Sequence, residues 1–262
     1  MTLEPFYRPL DGPDGARFHA TGSTSGPWFA DAQHVGPPSA LLVRALERLD
    51  GRPGGQLARL TVEVLGPVPT GEVQVAASVE RPGRAIELLA AEMSAGGRAV
   101  LRARAWRLTS GDTAAVALGA AEPLAPASQG VLHQRPEGWL PGFLDALEWR
   151  WLSGGLDDPG PSTAWLRQRV PLVEGEDPTP TQRLAVAADC ANGVGAPLDV
   201  RKWLFVNTEL TVHLHRPPVG EWIGVHARTV VGPTGLGTVE GHLHDEEGHT
   251  GHSAQALIVR PR

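Results

Sequence analysis

The sequence predicts an α+β protein made of two similar halves, each with a helix packed on antiparallel strands. The segment LTVEVLGPVPTGEV, residues 60–73, recurs as LTVHLHRPPVGEW, residues 210–222. The sequence of one strand and its turn therefore occurs twice, at a spacing of 150 residues. Each copy follows a helical pattern and precedes further segments of alternating polarity. A repeat of this length indicates duplicated domains and not a stack of short units.

In the first half, the strand candidate GARFHATG (15–22) precedes a helix. The segment SALLVRALERL (39–49) has apolar residues three and four apart, and Gly36-Pro37-Pro38 is a suitable start because proline fits the first helical turn. Turn residues separate the alternating segments that follow, as in an antiparallel meander. These predicted strands are 60–64, 72–80, 85–93 and 98–108.

The second half repeats this order. The segment DPTPTQRLAVAADCANG (177–193) predicts a helix with Thr179 as N-cap and Gln182 completing a capping box. Strand candidates stand before it, at ALEWRW (146–151) and TAWLRQRVPL (163–172), and after it, at 203–214, 221–231, 235–244 and 252–260, with a hairpin turn at 245–249.

One helix wrapped by such a sheet is the hot-dog fold, and two in one chain make a double hot dog. A single half leaves a sheet edge open, and pairing two halves covers that edge. We therefore expect two repeats, residues 1–109 and 141–262, related by pseudo-twofold symmetry in one continuous antiparallel sheet. The segment 110–140, rich in Ala, Gly, Pro and Ser, is the expected linker.

Composition limits the partners and the location. A net charge of −6 and a pI near 5.9 argue against a nucleic-acid or anionic-membrane partner. The single cysteine, Cys190, excludes an internal disulfide and agrees with a reducing compartment. The chain shows neither a signal peptide nor the roughly 18 consecutive apolar residues of a membrane helix. We expect a soluble cytoplasmic protein that forms a homodimer or larger homo-oligomer, because hot-dog sheets readily pair.

Several segments together resemble the acyl-CoA thioesterase II family, including its actinobacterial thioesterase-like double hot dogs. The matching segments are AADCANG (187–193), FVNTELTVHLHRP (205–217) and SAQALIVR (253–260) in the second half, with LTVEVLGPVPTG (60–71) and ERPGR (80–84) in the first. The resemblance implies that a positioned water hydrolyses acyl-CoA thioesters to a free acid and CoA, with no metal and no cofactor.

Three positions are catalytic candidates. Asp189 lies in the apolar run LAVAADCA, where an unpaired buried carboxylate would be costly; the resemblance implies that it activates the attacking water. Gln255, in the terminal strand, aligns with the glutamine that the family uses to hold that water. The third position is Asn207 or Thr208. We favour Asn207, but Thr208 shares the strand parity of Leu210, and a bulge could settle the choice either way.

On the first half, we expect the substrate pocket to open near Gly36 and Ser39. Relatives commonly have a glycine pair at this helix start, where free N–H groups could stabilise an oxyanion. This chain has Gly36-Pro37-Pro38 instead, and proline has no N–H. The first-half motifs supply no evident acid or base. The alternative function is therefore a non-catalytic acyl-CoA or pantetheine binder that kept the fold without the oxyanion geometry. A hot-dog hydratase is a third and weaker hypothesis for the function.

Most of the closely spaced histidines are interpreted as solvated residues that flank an acidic turn, and not as metal ligands. Residues two apart on a strand share a face, so paired ligation is geometrically possible. No cysteine or carboxylate cluster accompanies them at ligand spacing. The closely spaced pairs are His213 with His215, His242 with His244, and His249 with His252.

Overall fold

A computed structural model describes residues 3–12, 14–50 and 54–262, which form one sheet of fourteen strands and three α-helices. The first half contains β1 (Tyr7–Pro9), β2 (Arg17–Ala20), α1 (Gly36–Glu47), β3 (Gly55–Val64), β4 (Gly71–Arg81), β5 (Ile86–Ala95) and β6 (Arg98–Thr109). The second half contains β7 (Val131–His133), β8 (Leu147–Gly155), β9 (Asp158–Gln168), α2 (Pro180–Ala188), α3 (Ala191–Val194), β10 (Trp203–Asn207), β11 (Glu209–Leu214), β12 (Trp222–Val231), β13 (Leu236–Asp245) and β14 (Gly248–Pro261). No helix in these ranges is long and apolar enough to cross a membrane.

The strands form one continuous sheet in which every pairing between named strands of the described ranges is antiparallel. The main path runs β1-β2-β4-β5-β6-β3-β11-β14-β13-β12-β9-β8-β7, and β10 pairs with β14 beside β11. Helices and sheet bury a single apolar core. This architecture is the predicted double hot dog.

The two halves join where the repeated strands meet. Strand β3 pairs with β11 so that Thr61 lies opposite Thr211, and these threonines occupy the same place in the two copies of the repeat. The flanking pairs, Leu60 with Val212 and Val62 with Leu210, are exchanged by the same symmetry. The sequence repeat therefore places a pseudo-twofold axis at the centre of the sheet.

The helices pack against each other across this axis. The predicted capping box begins α2: the Thr179 hydroxyl accepts from the Gln182 backbone N–H, and the Gln182 side chain accepts from the Thr179 N–H. Both side chains also donate to the Glu47 carboxylate at the end of α1. At the other end, a Cβ on Gly36 would lie 2.8 Å from the carbonyl oxygen of Val186, so only glycine allows this approach of α1 to α2.

Three features differ from the sequence expectation. The helix expected over 177–193 is divided at Asp189 and Cys190 into α2 and α3. The strand expected over 203–214 is divided at Thr208 into β10 and β11. Two short strands, β1 and β7, were not predicted. Each has only three residues, too few to show a period of alternation.

The expected linker, residues 110–140, contains β7 and otherwise only short 3₁₀ turns. It runs over the outer face of the second-half sheet. The Trp165 indole donates to the carbonyl oxygen of Ala125 at 2.7 Å, and the Ala121 N–H donates to His249 Nδ1 at 3.3 Å. The domain boundaries at 109 and 141 stay a prediction.

Candidate active site

Asp189 lies at the C-terminal end of α2 and is only 2% exposed. The Asn207 amide donates to its Oδ1 atom at 2.8 Å, from the last residue of β10. The Gln255 amide, from β14, donates to the same oxygen at 3.3 Å. A buried carboxylate is tolerated when it accepts such hydrogen bonds. A helix end and two strands thus bring Asp189, Asn207 and Gln255 together.

Thr208 does not reach this group. Strand β10 pairs with β14 so that Asn207 lies opposite Leu257, whereas β11 pairs with β14 one residue out of that register. Thr208 is the extra residue at this bulge, and its exposed side chain donates to the carbonyl oxygen of Ala256 at 3.3 Å. The bulge reverses the strand parity, so that Asn207 shares the inner face with Leu210. Of the two alternatives, the structure places Asn207 at Asp189 and Thr208 away from it.

His34, from the first half, is the Asp189 partner that sequence reasoning missed. Its Nδ1 atom lies 2.9 Å from Asp189 Oδ2, and its ring stacks on Phe143 at 3.8 Å with an interplanar angle of 12°. The motifs of the first half supplied no evident acid or base, and His34 lies outside those motifs. Only its position, two residues before the start of α1, could have suggested this histidine, and no spacing motif marks it.

The contacts of His34 restrict where one proton can be. The Gly36 N–H points at the same Nδ1 atom, at 3.1 Å. A ring nitrogen carries either a hydrogen or a free lone pair. If Nδ1 carries hydrogen, it donates to an ionised Asp189 and cannot accept from Gly36. If Nδ1 accepts from Gly36, it cannot donate to Asp189. The Asp189 carboxyl group and the Gly36 N–H therefore compete for one ring nitrogen.

A chamber of about 220 Å³ opens beside this pair. The second half contributes Asp189, Asn192, Val206 and Asn207 to its wall, and the first half contributes residues from 26–35 and 64–68. Gly36 and Ser39 do not line it, which corrects their expected place as substrate contacts. Both are fully or nearly fully buried where the first turn of α1 packs into the protein, and Gly36 lies against Val186.

The first turn of α1 offers little to an oxyanion. Pro37 and Pro38 have no N–H, and the Gly36 N–H is directed to His34. Asn192, at the start of α3, is the polar alternative. It is 4% exposed and lines the chamber. An amide N–H of this kind can donate to a negative oxygen.

Comparison with protein families identifies the family of this chain. Residues 122–259 match the model of the acyl-CoA thioesterase C-terminal domain, and residues 24–108 match the model of the acyl-CoA thioesterase N-terminal domain. The chain belongs to the acyl-CoA thioesterase family. A comparison with curated proteins gave no match.

Solved structures share the fold of this thioesterase-family chain at low identity. A hot-dog protein from Alicyclobacillus acidocaldarius superposes with a TM-score of 0.76 at 16% identity, covering 94% of each chain. A putative thioesterase II from Thermobifida fusca gives 0.74 at 17% identity, covering 95% of this chain and 94% of the other. An acyl-CoA thioesterase II from Mycobacterium marinum gives 0.64 at 17% identity, with coverages of 94% and 91%.

Cys190 follows Asp189 in this thioesterase-family chain but is poorly suited to nucleophilic attack. It is 2% exposed, and its thiol donates to the carbonyl oxygen of Val186 at 3.5 Å. Burial, with a smaller contribution from the Asp189 charge, raises the pKa of the thiol well above its usual value. The reactive thiolate is therefore disfavoured.

Seven histidines lie on the outer face of the second-half sheet, away from Asp189. Directly opposed residues on four neighbouring strands form one row, and a second row follows towards the strand ends. The rows are His213, His252, His242 and His226, then His215, His249 and His244. His244 is 2% exposed and is therefore not one of the solvated histidines. In the part of the chain that is described, no three His, Cys, Asp or Glu side chains are arranged to hold a metal ion.

Proposed function

We propose that this protein hydrolyses acyl-CoA thioesters to a free acid and CoA, using a water activated by Asp189. The observation that carries the proposal is the buried carboxylate beside an open chamber, held by Asn207 and Gln255 on one oxygen and facing His34 on the other. The family membership supports thioester hydrolysis as the reaction class. The roles of the individual residues are our proposal.

In the proposed reaction, the Asp189–His34 pair takes a proton from a water in the chamber as the water oxygen attacks the thioester carbonyl carbon. The carbonyl π electrons move to oxygen and form a tetrahedral oxyanion, to which the Asn192 amide donates. When this intermediate collapses, the carbon–sulfur bond breaks, and the sulfur leaves with the bonding pair. Asp189 and His34 then return the proton to that sulfur, so that the products are the acid and CoA. Side chains of this chain supply every group that these steps use.

Asn207 and Gln255 act through Asp189 and are positioning residues. Both donate to Oδ1, which stabilises the ionised carboxylate and leaves Oδ2 for His34. Gln255 is 2% exposed and does not line the chamber, so it lies behind Asp189. This differs from the role that the resemblance implies, in which the glutamine holds the water directly.

One observation favours the second candidate function, a non-catalytic acyl-CoA or pantetheine binder. The first turn of α1 has Pro37 and Pro38 where an N–H donor would be useful, and Gly36 does not line the chamber. If Asn192 does not supply the missing donor, the chamber could bind a thioester without stabilising the oxyanion.

Thiol release from a panel of acyl-CoAs, with Asp189→Asn beside the wild type, distinguishes these candidates. The substitution keeps size and hydrogen bonding but removes the base, so kcat should fall by about 10²- to 10⁴-fold while acyl-CoA binding is nearly unchanged. Asp112→Asn, in the exposed linker, is the matched control. Equal thiol release by Asp189→Asn and wild type would end the proposed mechanism. Binding of acyl-CoA with no thiol release by the wild type would favour the binder.

A further inference from the structure

Two cavities meet at the candidate site, and Trp28 is in the wall of both. The chamber beside Asp189 has a volume of about 220 Å³, and a much smaller crevice of about 30 Å³ lies behind it. The residues that line both are Trp28, His34 and Asn192. The chamber and the crevice are therefore neighbours, and these three side chains lie where they meet.

Contacts on both sides hold the Trp28 indole in place. The edge of the Phe205 ring meets it at a centroid distance of 4.8 Å and an interplanar angle of 81°, a favourable aromatic geometry. The Arg262 guanidinium lies 5.7 Å from the centroid of the indole. Phe205 is 1% exposed and is part of the core. Trp28 and Phe205 are in contact and both line the crevice, and we call this pair the Trp28–Phe205 partition.

The crevice behind this partition is suited to hydrocarbon. Apart from the rim residues His34 and Asn192, its wall is apolar, and it continues towards a third cavity of about 420 Å³ near Asp199 and Arg201. The crevice and the third cavity share Trp139, Leu156, Ala196 and Val200. A methylene group that passed Trp28 would therefore enter apolar surroundings.

We propose that Trp28 sets the acyl-chain length that this protein accepts, and that its preferred thioesters have short acyl chains. The inference rests on the proposed acyl-CoA function. Taking about 30 Å³ for a group the size of a water molecule, the chamber holds roughly seven non-hydrogen atoms, which suits a thioester with an acyl chain of about four to six carbons. Longer chains meet the Trp28–Phe205 partition.

Binding of S-alkyl-CoA thioethers, from ethyl to dodecyl, tests this by calorimetry without any reaction, because a thioether has no carbonyl to attack. In the wild type, each methylene that the chamber buries should tighten binding about fourfold, up to roughly six carbons, after which affinity should stop rising or fall. We call the chain length at which affinity stops rising the break. Trp28→Ala joins the chamber to the crevice and should move this break to longer chains. Trp28→Phe, a more conservative change, should move it less.

Two further variants make the test specific. Ala196→Leu fills the crevice, so adding it to Trp28→Ala should return the break towards the wild-type length. Trp222→Ala removes a similarly half-buried tryptophan that packs against Arg150 and Arg167, and should leave the break unchanged.

The outcomes separate this inference from the proposed function. Thioether binding with the same break in wild type and Trp28→Ala overturns the role of Trp28 and leaves hydrolysis standing. A shifted break together with no thiol release from any acyl-CoA supports the role of Trp28 and overturns hydrolysis. No thioether binding by the wild type overturns both.

Discussion

Acidification should destabilise this protein through His244. Burial, together with the neighbouring His249, His242 and His226, lowers the pKa of His244 from 6.5 to about 4, against the opposing effect of Asp245. Asp245 is itself paired with Arg216. In the unfolded chain the same imidazole binds a proton below about pH 6.5. Between these two pKa values, the unfolded state binds more protons than the folded state, so the free energy of unfolding falls as the pH falls.

The size of the effect follows from the two pKa values. Above about pH 6.5 the imidazole is neutral in both states and contributes no pH dependence. At about pH 5 the free energy of unfolding is lower by roughly 2 kcal/mol than at neutral pH. Near pH 4 and below, this decrease levels off at about 3 kcal/mol. His244 is almost fully buried, so solvent screening does not reduce this value much. The low pKa values of His213 and His249 act in the same direction.

Urea unfolding followed by tryptophan fluorescence, at several pH values between about 7.5 and 4.5, measures this effect. The glutamine in His244→Gln cannot titrate. Between neutral pH and about pH 5, the free energy of unfolding of this variant should therefore fall by about 2 kcal/mol less than that of the wild type. Any constant change in packing cancels in this difference. His19→Gln, on an exposed position of β2, should follow the wild type. Parallel pH curves for His244→Gln and wild type would refute the reasoning.

Three other predictions concern the site, a helix cap and the assembly. Asn207→Ala should lower kcat roughly 10- to 100-fold by removing a hydrogen bond to the Asp189 carboxylate, while Thr208→Ala should leave it nearly unchanged; equal losses would contradict the bulge argument. Thr179→Ala should lower the free energy of unfolding by about 1–2 kcal/mol, measured by urea unfolding, because it removes the α2 cap and a donor to Glu47. Light scattering at about micromolar concentration should show a homodimer or larger, and a monomer would remove that prediction.

Local patterns in the sequence were sufficient for most of the fold. The α2 capping box was predictable because Thr179 and Gln182 are three residues apart and their side chains act on each other's backbone. The long strands were predictable because their alternation is visible within a few residues. The bulge at Thr208 was not predictable, because it is a shift of pairing against β14 and not a property of its own segment.

The site was predictable only within the second half. Asp189 could be identified because a carboxylate in an apolar helical run requires partners, and the resemblance supplied Gln255 and Asn207. His34 could not be identified, because its role depends on a contact between distant parts of the chain. Asn192 was missed because its interest comes from its place in the wall of a cavity, which no sequence spacing indicates.

The symmetry that the repeat creates explains where the site is. Because β3 and β11 pair antiparallel about the axis at Thr61 and Thr211, the start of each helix lies near the end of the other. Two junctions result. At the first, Asp189 at the end of α2 meets His34 just before α1, beside an open chamber.

At the second junction, Glu47 at the end of α1 meets Thr179 and Gln182 at the start of α2. Burial raises the pKa of Glu47, and the hydrogen bonds from these two side chains oppose the rise. Its carboxylate is engaged in the cap, and no imidazole contacts it within the described ranges. The duplicated fold thus places a carboxylate at each helix junction, but only Asp189 has both a base partner and access to a substrate-sized space, so one chain carries one candidate site.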